Sequence, residues 1–340
     1  MSTPTTSREW HILARPKGWP KEEDFALREV EIPELADGQI LVRNRFLSVD
    51  PAMRGRMNDV KSYSPPFRLN EPMLGGAVGR VVASQSPDFA VGDSVQHWLG
   101  WREYSVVDGR GAGAVRVDPE LAPLSAYLGV LGMPGLTAWA GLLDAASFRP
   151  GDAVFVSGAA GAVGSQVGQI ARLKGASRVI GSAGSAAKVD LLVHEYGFDA
   201  AFNYKDGPVA EQLAKAAPEG IDVYFDNVGG EHLEAAIGAL HTHGRVAMCG
   251  AIAQYNATEP TPAPRNLALS VGKRLRLQGF LVLDYFDRRD EFLAEVGGWL
   301  RDGSLQYRET VVEGIENNLS ALLGMLRGEN TGKMVVALPA

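Results

Sequence analysis

The sequence predicts an α/β protein in two parts, a barrel-like antiparallel β domain and a parallel-sheet domain wound with helices. Two observations predict this. Before about residue 125, short β-rich runs alternate with turn residues. From about Ala153, strand-like runs alternate with stretches of helical spacing, the pattern of βαβ units.

In the first part, the runs are Gln39 to Arg45 (QILVRNR), Val78 to Ser84 (VGRVVAS) and Asp93 to His97 (DSVQH), separated by Asp37-Gly38, Ser86-Pro87 and Gly92-Asp93. Proline and glycine density from Ser62 to Gly76 predicts a long loop. In the second part, Ala153 to Ser157 (AVFVS) is a short apolar run, as expected of a strand buried on both faces. A helix over Ser165 to Lys174, a strand over Arg178 to Gly181 and a helix over Ala187 to Tyr196 follow. Further strands are predicted at Ala200 to Asn203, Val223 to Asp226, Arg245 to Met248 and Leu275 to Gly279. Tyr307 to Val312 and Lys333 to Leu338 turn β-like again, which returns the C-terminus to the first domain. The domains are set at 1–127 with 305–340, and 128–304.

The 340 residues suit two domains at roughly 100–200 residues each. A net charge of −7 speaks against nucleic acid or an anionic membrane as partner, since both select a basic face. The single cysteine, Cys249, excludes an internal disulfide and fits a reducing compartment. Met1 to Arg8 is polar, unlike a signal peptide, and no stretch reaches the roughly 20 apolar residues of a membrane span. A cytoplasmic protein acting on a small molecule is expected.

Val156 to Gly164 (VSGAAGAVG) is the most informative segment. Gly158, Gly161 and Gly164 fall between a predicted strand and a predicted helix. Such glycines form a tight turn, let backbone N–H groups approach a pyrophosphate and let helix and strand pack closely. The helix N-terminus adds unpaired donors and a positive dipole end. Glycines also serve ordinary turns, but the strand–loop–helix context required of a dinucleotide site is met. About 20 residues on, NAD-binding chains carry an acid for the ribose 2′-hydroxyl. Gly181 to Lys188 (GSAGSAAK) has none. The missing acid and Lys188 together favour NADPH/NADP+ with its anionic 2′-phosphate. The plainer alternative makes Lys188 a solvated helix lysine.

Catalytic zinc needs three protein ligands, and structural zinc usually four, often cysteines. One cysteine excludes a four-cysteine lobe, and none of the six histidines has HExxH spacing. His241 and His243 read as surface or loop residues without nearby acids. No metal site is expected. Nor is there a GxSxG elbow for hydrolysis.

Seven further segments carry a family resemblance: Leu47 to Met57 (LSVDPAMRGRM), Leu131 to Thr137 (LGMPGLT), Ala159 to Gly168 (AAGAVGSQVG), Phe202 to Lys205 (FNYK), Phe225 to Gly230 (FDNVGG), Cys249 to Tyr255 (CGAIAQY) and Gly328 to Lys333 (GENTGK). Over nearly its whole length the chain resembles the zinc-independent prostaglandin reductase, leukotriene hydroxydehydrogenase and curcumin reductase group of the medium-chain dehydrogenase/reductase superfamily. The resemblance implies an α/β fold with a GroES-like β-barrel catalytic domain and a Rossmann dinucleotide-binding domain, the active site in the cleft between them, and a homodimer.

It also implies residue roles. Ala160, Gly161, Ala162 and Val163 face the pyrophosphate. Lys188 and Tyr204 hold the adenosine 2′-phosphate, and Asn227 sits near a cofactor ribose. Cys249, Gly250, Ala251, Ile252 and Tyr255 border the nicotinamide, as do Phe280, Leu281 and Val282. Asn330 reaches back to the cofactor. Each has a plainer alternative: a half-buried tyrosine at 204, a turn-forming asparagine at 227, a small core residue at Cys249. Trp98 and Trp101 suit packing and substrate contact equally. Relatives often have tyrosine where this chain has Ala52, on the substrate side, which weakens transfer of a named substrate.

The expected reaction is NADPH-dependent hydride transfer to the β-carbon of an enone or enal. Charge then develops on the carbonyl oxygen, where a positioned hydroxyl lowers the barrier. Tyr255 is the candidate, since tyrosine, with an unperturbed pKa of roughly 10, suits donation. The proton for the α-carbon comes from Tyr255 or from water. A zinc-free quinone or alcohol oxidoreductase and a non-catalytic NADPH-binding sensor are the alternatives.

Overall fold

The computed structural model describes residues 4–111 and 113–339. Contacts divide the chain into two units, Met1–Leu128 with Glu309–Ala340, and Gly129–Arg308.

The first unit opens with an antiparallel pair, β1 (Thr6–Ile12) and β2 (Phe25–Glu31). Then come β3 (Gln39–Ser48), a short helix α1 (Ala52–Arg56), β4 (Ala77–Ser84), β5 (Ser94–His97), β6 (Tyr104–Asp108) and β7 (Ala114–Arg116). No strand or helix interrupts residues 57–76, where the loop was expected. β3 is the organising strand. Its register against β4 shifts between Leu41 and Val42 and again between Asn44 and Phe46. Such irregularities reassign which side chains face inward. Ile40 and Val42 therefore pack with Val81, Val95 and Val107, while Leu47 joins a second core with Met53, Met57 and Trp101.

The second unit begins with α2 (Met133–Ala140), which widens into one π turn at Gly141–Ala145. It continues through β8 (Ala153–Val156), α3 (Gly164–Leu173), β9 (Arg178–Ala183), α4 (Ala186–His194), β10 (Ala200–Asn203), α5 (Val209–Ala216), β11 (Ile221–Asp226) and α6 (Gly230–Ala239). β12 (Leu240–Met248), α7 (Leu269–Lys273), β13 (Arg276–Gly279) and α8 (Arg289–Asp302) complete it. The strands form one parallel sheet in the order β10-β9-β8-β11-β12-β13. The chain reverses its winding between β8 and β11, and ligands of such sheets bind beyond the strand ends at that point. Both faces are covered: Val154, Phe155, Val156, Tyr224 and Phe225 have no exposed surface. Phe155 stacks on Tyr224 at 5.0 Å and on Phe202 at 5.8 Å. Each such side chain contributes about 1.5–3 kcal/mol by leaving water.

The chain then returns to the first unit as β14 (Glu309–Glu313), α9 (Asn318–Leu326) and β15 (Lys333–Ala337). β15 pairs antiparallel with β3, but β14 pairs parallel with β15, so the sheet is not purely antiparallel as expected. The intervening α9 supplies the crossover that a parallel pair requires. His241 and His243 are surface residues, as expected, but both lie within β12, and His241 does have a nearby acid, its Nδ1 being 2.9 Å from Asp222 Oδ1. The acid is 19 residues distant in sequence and adjacent only because β11 and β12 are neighbours. Among the described residues, no helix is long and apolar enough to cross a membrane.

Candidate functional site

The loop after β8 is shaped by its glycines. Gly158 has a φ of +60°, which L side chains rarely adopt. A Cβ on Gly164 would lie 2.5 Å from the Gly158 carbonyl oxygen. The Gly161 N–H donates to that oxygen at 3.0 Å, and the Ala159 N–H donates to Ser182 O at 2.9 Å, tying the loop to β9. Ala160 is buried, while Gly161, Ala162 and Val163 are half-buried at the start of α3. The first-turn N–H groups of that helix lack intrahelical acceptors and point along its positive end.

A second group gathers beyond β9 and β10. Ser182 is fully buried, and its Oγ has no hydrogen-bond partner among the described residues. The Ser185 hydroxyl caps α4 by accepting the Lys188 N–H at 3.3 Å. Lys188 is half-buried. Burial, and then the nearby Lys205 charge, hold its ammonium below the usual lysine pKa. Two cations held in range of each other suit a polyanion. Tyr204 is 41% exposed, with Lys205 Nζ 5.9 Å from its ring centre and the buried His232 ring edge-on at 5.4 Å. Lys188, Lys205 and Tyr204 thus form one electropositive, aromatic edge.

The third group lies beyond β11 and β12 and is tightly wired. Asp226 is 1% exposed. Its Oδ1 accepts from the Tyr224 hydroxyl at 2.7 Å, Gly229 N–H at 2.7 Å and Val228 N–H at 3.0 Å. Its carbonyl accepts the N–H groups of Cys249 (2.9 Å) and Gly250 (3.0 Å). Asn227 donates Nδ2 to Ser157 O at 2.8 Å and its N–H to Ser157 Oγ at 3.1 Å, while its carbonyl accepts from Ile252. The three loops after β8, β11 and β12 are therefore one hydrogen-bonded unit. The Cys249 thiol is pushed up to about 12 by burial and by the Asp226 charge, so thiolate chemistry is closed to it near neutrality.

Tyr255 closes the turn that starts there. Its hydroxyl oxygen accepts the Ala251 N–H at 3.5 Å, and a Cβ on Gly250 would lie 3.2 Å from it. Phe280 follows β13 and packs edge-on against Phe225 at 6.0 Å and Tyr285 at 6.4 Å, while Leu281 and Val282 are half-buried.

Asn330 belongs to the first unit, where its Nδ2 donates to Gly332 O at 2.8 Å within its own loop. Trp101 is fully buried, with its Nε1 donating to Ser48 O at 3.1 Å, so it is a packing anchor, whereas Trp98 is 40% exposed. Among the described residues, no three His, Cys, Asp or Glu side chains are grouped to hold a metal. Sequence reading passed over Asp226, Tyr224, Ser157 and Lys205. The signal for Asp226 was a carboxylate ending an apolar strand, IDVYFD, where burial demands a compensating role.

The glycine cradle, the buried orphan Ser182 Oγ and the two lysines fit a phosphorylated dinucleotide. Two family models match the chain, one described as the N-terminal domain of oxidoreductase over residues 8–115, the other as zinc-binding dehydrogenase over residues 162–296. The NADPH-dependent curcumin reductase of Escherichia coli (strain K12) is 43% identical over 335 residues, covering 97% of this chain and 96% of that protein. The 2-alkenal reductase (NADP(+)-dependent) of Nicotiana tabacum is 42% identical over 325 residues, 94% of each. The crystal structure of CurA from Vibrio vulnificus in complex with NADPH superposes with a TM-score of 0.92 at 43% identity, covering 98% of this chain and 99% of that one.

Proposed function

The chain belongs to the zinc-independent group of the medium-chain dehydrogenase/reductase superfamily, and from that premise we propose that it reduces the carbon–carbon double bond of α,β-unsaturated ketones and aldehydes. It is an NADP-dependent oxidoreductase, and its cofactor is NADPH. In this reading Ala160, Gly161, Ala162 and Val163 take the pyrophosphate, and Lys188 and Tyr204 the 2′-phosphate. Asn227 and the segments Cys249 to Ile252 and Phe280 to Val282 border the ribose and nicotinamide, and Asn330 is a further proposed cofactor residue.

NADPH, when bound, supplies the hydride. The chain's part is orientation and charge stabilisation. The observation that carries the reading is the Tyr255 hydroxyl, held against Gly250 and Ala251 in a turn pinned to Asp226 and Asn227. Accepting the Ala251 N–H occupies a lone pair of that oxygen and leaves the hydroxyl its O–H as a donor group. Donation to the substrate carbonyl oxygen stabilises the negative charge that develops there as the β-carbon is reduced. A proton delivered to the α-carbon completes the saturated product.

We place the enzyme in the cytoplasm as a homodimer. In support of the dimer, β13 is the last strand of its sheet, and Leu267 (47%), Leu269 (44%) and Val271 (81%) are exposed apolar residues just before it. The test follows NADPH and NADH absorbance separately with a medium-chain enal, an aromatic enone, a quinone and a saturated aldehyde. NADPH oxidation with the enal or enone, yielding a saturated carbonyl product, supports the proposal. Turnover with the quinone alone rejects it.

A further inference from the structure

Asp226 poses a physical problem that binding geometry alone does not answer. Burying a carboxylate is costly unless its charge is compensated. Asp226 is 1% exposed, yet its partners are neutral: the hydroxyls of Tyr224 and Ser157 and the N–H groups of Val228 and Gly229. Among the described residues no lysine, arginine or histidine pairs with it. The backbone N–H groups can only donate, and so suit the ionised, acceptor-only form. Burial pushes the Asp226 carboxyl above the ordinary carboxylate value, while these donors hold it down; ionised, it places a negative charge with no cationic partner among the described residues at the sheet's topological switch point, where its own carbonyl accepts the Cys249 and Gly250 N–H groups. That charge is felt at Cys249, whose thiol it helps to push up.

We propose that the Asp226 carboxylate is an electrostatic specificity element that favours the oxidised, cationic nicotinamide ring over the reduced, neutral one. The inference rests on the reading that Cys249 to Tyr255 border that ring. Hydride donation leaves one positive charge on the ring, and a buried anion nearby lowers the energy of that charge in a medium that screens it weakly. The same anion gives no comparable stabilisation to the uncharged reduced ring. Its effect therefore lies in the ratio of the two dissociation constants. A purely structural residue would weaken both forms alike.

The test is titration of NADP+ and of NADPH, by calorimetry or quenching of protein fluorescence, into wild type, Asp226→Asn and Tyr224→Phe. Asn keeps an acceptor for the surrounding donors and removes the charge. Phe removes one donor and keeps the charge. The expected result is a ratio of Kd(NADP+) to Kd(NADPH) raised on the order of tenfold in Asp226→Asn, and within about twofold of wild type in Tyr224→Phe. An unchanged ratio in Asp226→Asn, or equal shifts in both variants, overturns the proposal. If Asp226→Asn does not fold, Asp226→Ser, which also removes the charge and keeps an acceptor oxygen, is titrated in its place: a raised ratio supports the proposal, and an unchanged one overturns it. Failure of wild type to bind either form would instead overturn the cofactor reading, and this inference with it.

Discussion

The Tyr224 hydroxyl donates to the Asp226 carboxylate at 2.7 Å, two positions along the same strand and on the same face of the sheet. Both side chains are buried, so neither can exchange its partner for water. Tyr224→Phe removes the donor and leaves the carboxylate under-solvated. The variant should lose about 1–3 kcal/mol of stability, seen as a lower denaturation midpoint in urea. An unchanged midpoint would show that the remaining donors satisfy Asp226 alone.

Tyr255→Phe keeps the ring and removes the hydroxyl. If that hydroxyl donates to the developing oxyanion, kcat with an enone should fall roughly a hundredfold while the Kd for NADPH stays as it was. A parallel loss in NADPH affinity would assign Tyr255 to holding the turn that its oxygen closes with Ala251.

Lys188→Ala tests the anionic edge. Losing a charge-assisted contact of about 1.5–3 kcal/mol should raise the KM for NADPH by roughly tenfold or more and leave the KM for NADH nearly unchanged. Equal changes for both cofactors would return Lys188 to the role of a helix-surface lysine.

Gly164→Ala addresses the cradle. The added Cβ would meet the Gly158 carbonyl oxygen at 2.5 Å and the Ala159 Cα at 2.8 Å, both backbone atoms with no rotamer to yield. Destabilisation of about 1–3 kcal/mol is expected, with weaker binding of NADPH and NADH alike. Denaturation and cofactor titration on the same preparation check both effects.

The second unit was legible because its strands are short apolar runs closed by glycines. Ala153 to Val156 and Ala200 to Asn203 form strands where period and composition placed them. Ends were less legible: β9 runs on through Ser182 and Ala183, small residues that look like a turn until β10 pairs with them. The wiring beneath the candidate site was not legible. Ser157, Asp226 and Cys249 are separated by 69 and 23 positions in the chain, and only the parallel register of β8, β11 and β12 joins them. The Asp222–His241 pair was missed for the same reason, as was the parallel pairing of β14 with β15.

The last prediction concerns acid. His97 is 1% exposed; its Nδ1 accepts the Leu99 N–H at 3.1 Å, so in the neutral ring Nε2 carries the proton and donates to Asn44 Oδ1 at 2.9 Å. Asn44 in turn donates to Arg102 O and Ser105 Oγ, which fixes its orientation. A second ring proton would displace the Leu99 N–H and place a charge in the core. Burial and the Arg102 charge therefore hold the His97 pKa down at about 3, and burial holds His232 at about 4. Both folded values lie below the ordinary 6.5, so above that pH neither state takes up the proton and stability is unaffected. As pH falls below 6.5 the unfolded chain binds protons that the folded chain refuses, and stability declines by about 1.4 kcal/mol per pH unit for each histidine. The decline from His97 ends near pH 3, where the folded ring is protonated too. Urea denaturation between pH 7 and 4.5 should show this slope. His97→Gln should be less stable at pH 7 yet show a slope smaller by about one proton. An unaltered slope in that variant would mean that His97 is protonated in the folded protein and that the Leu99 contact does not hold its tautomer.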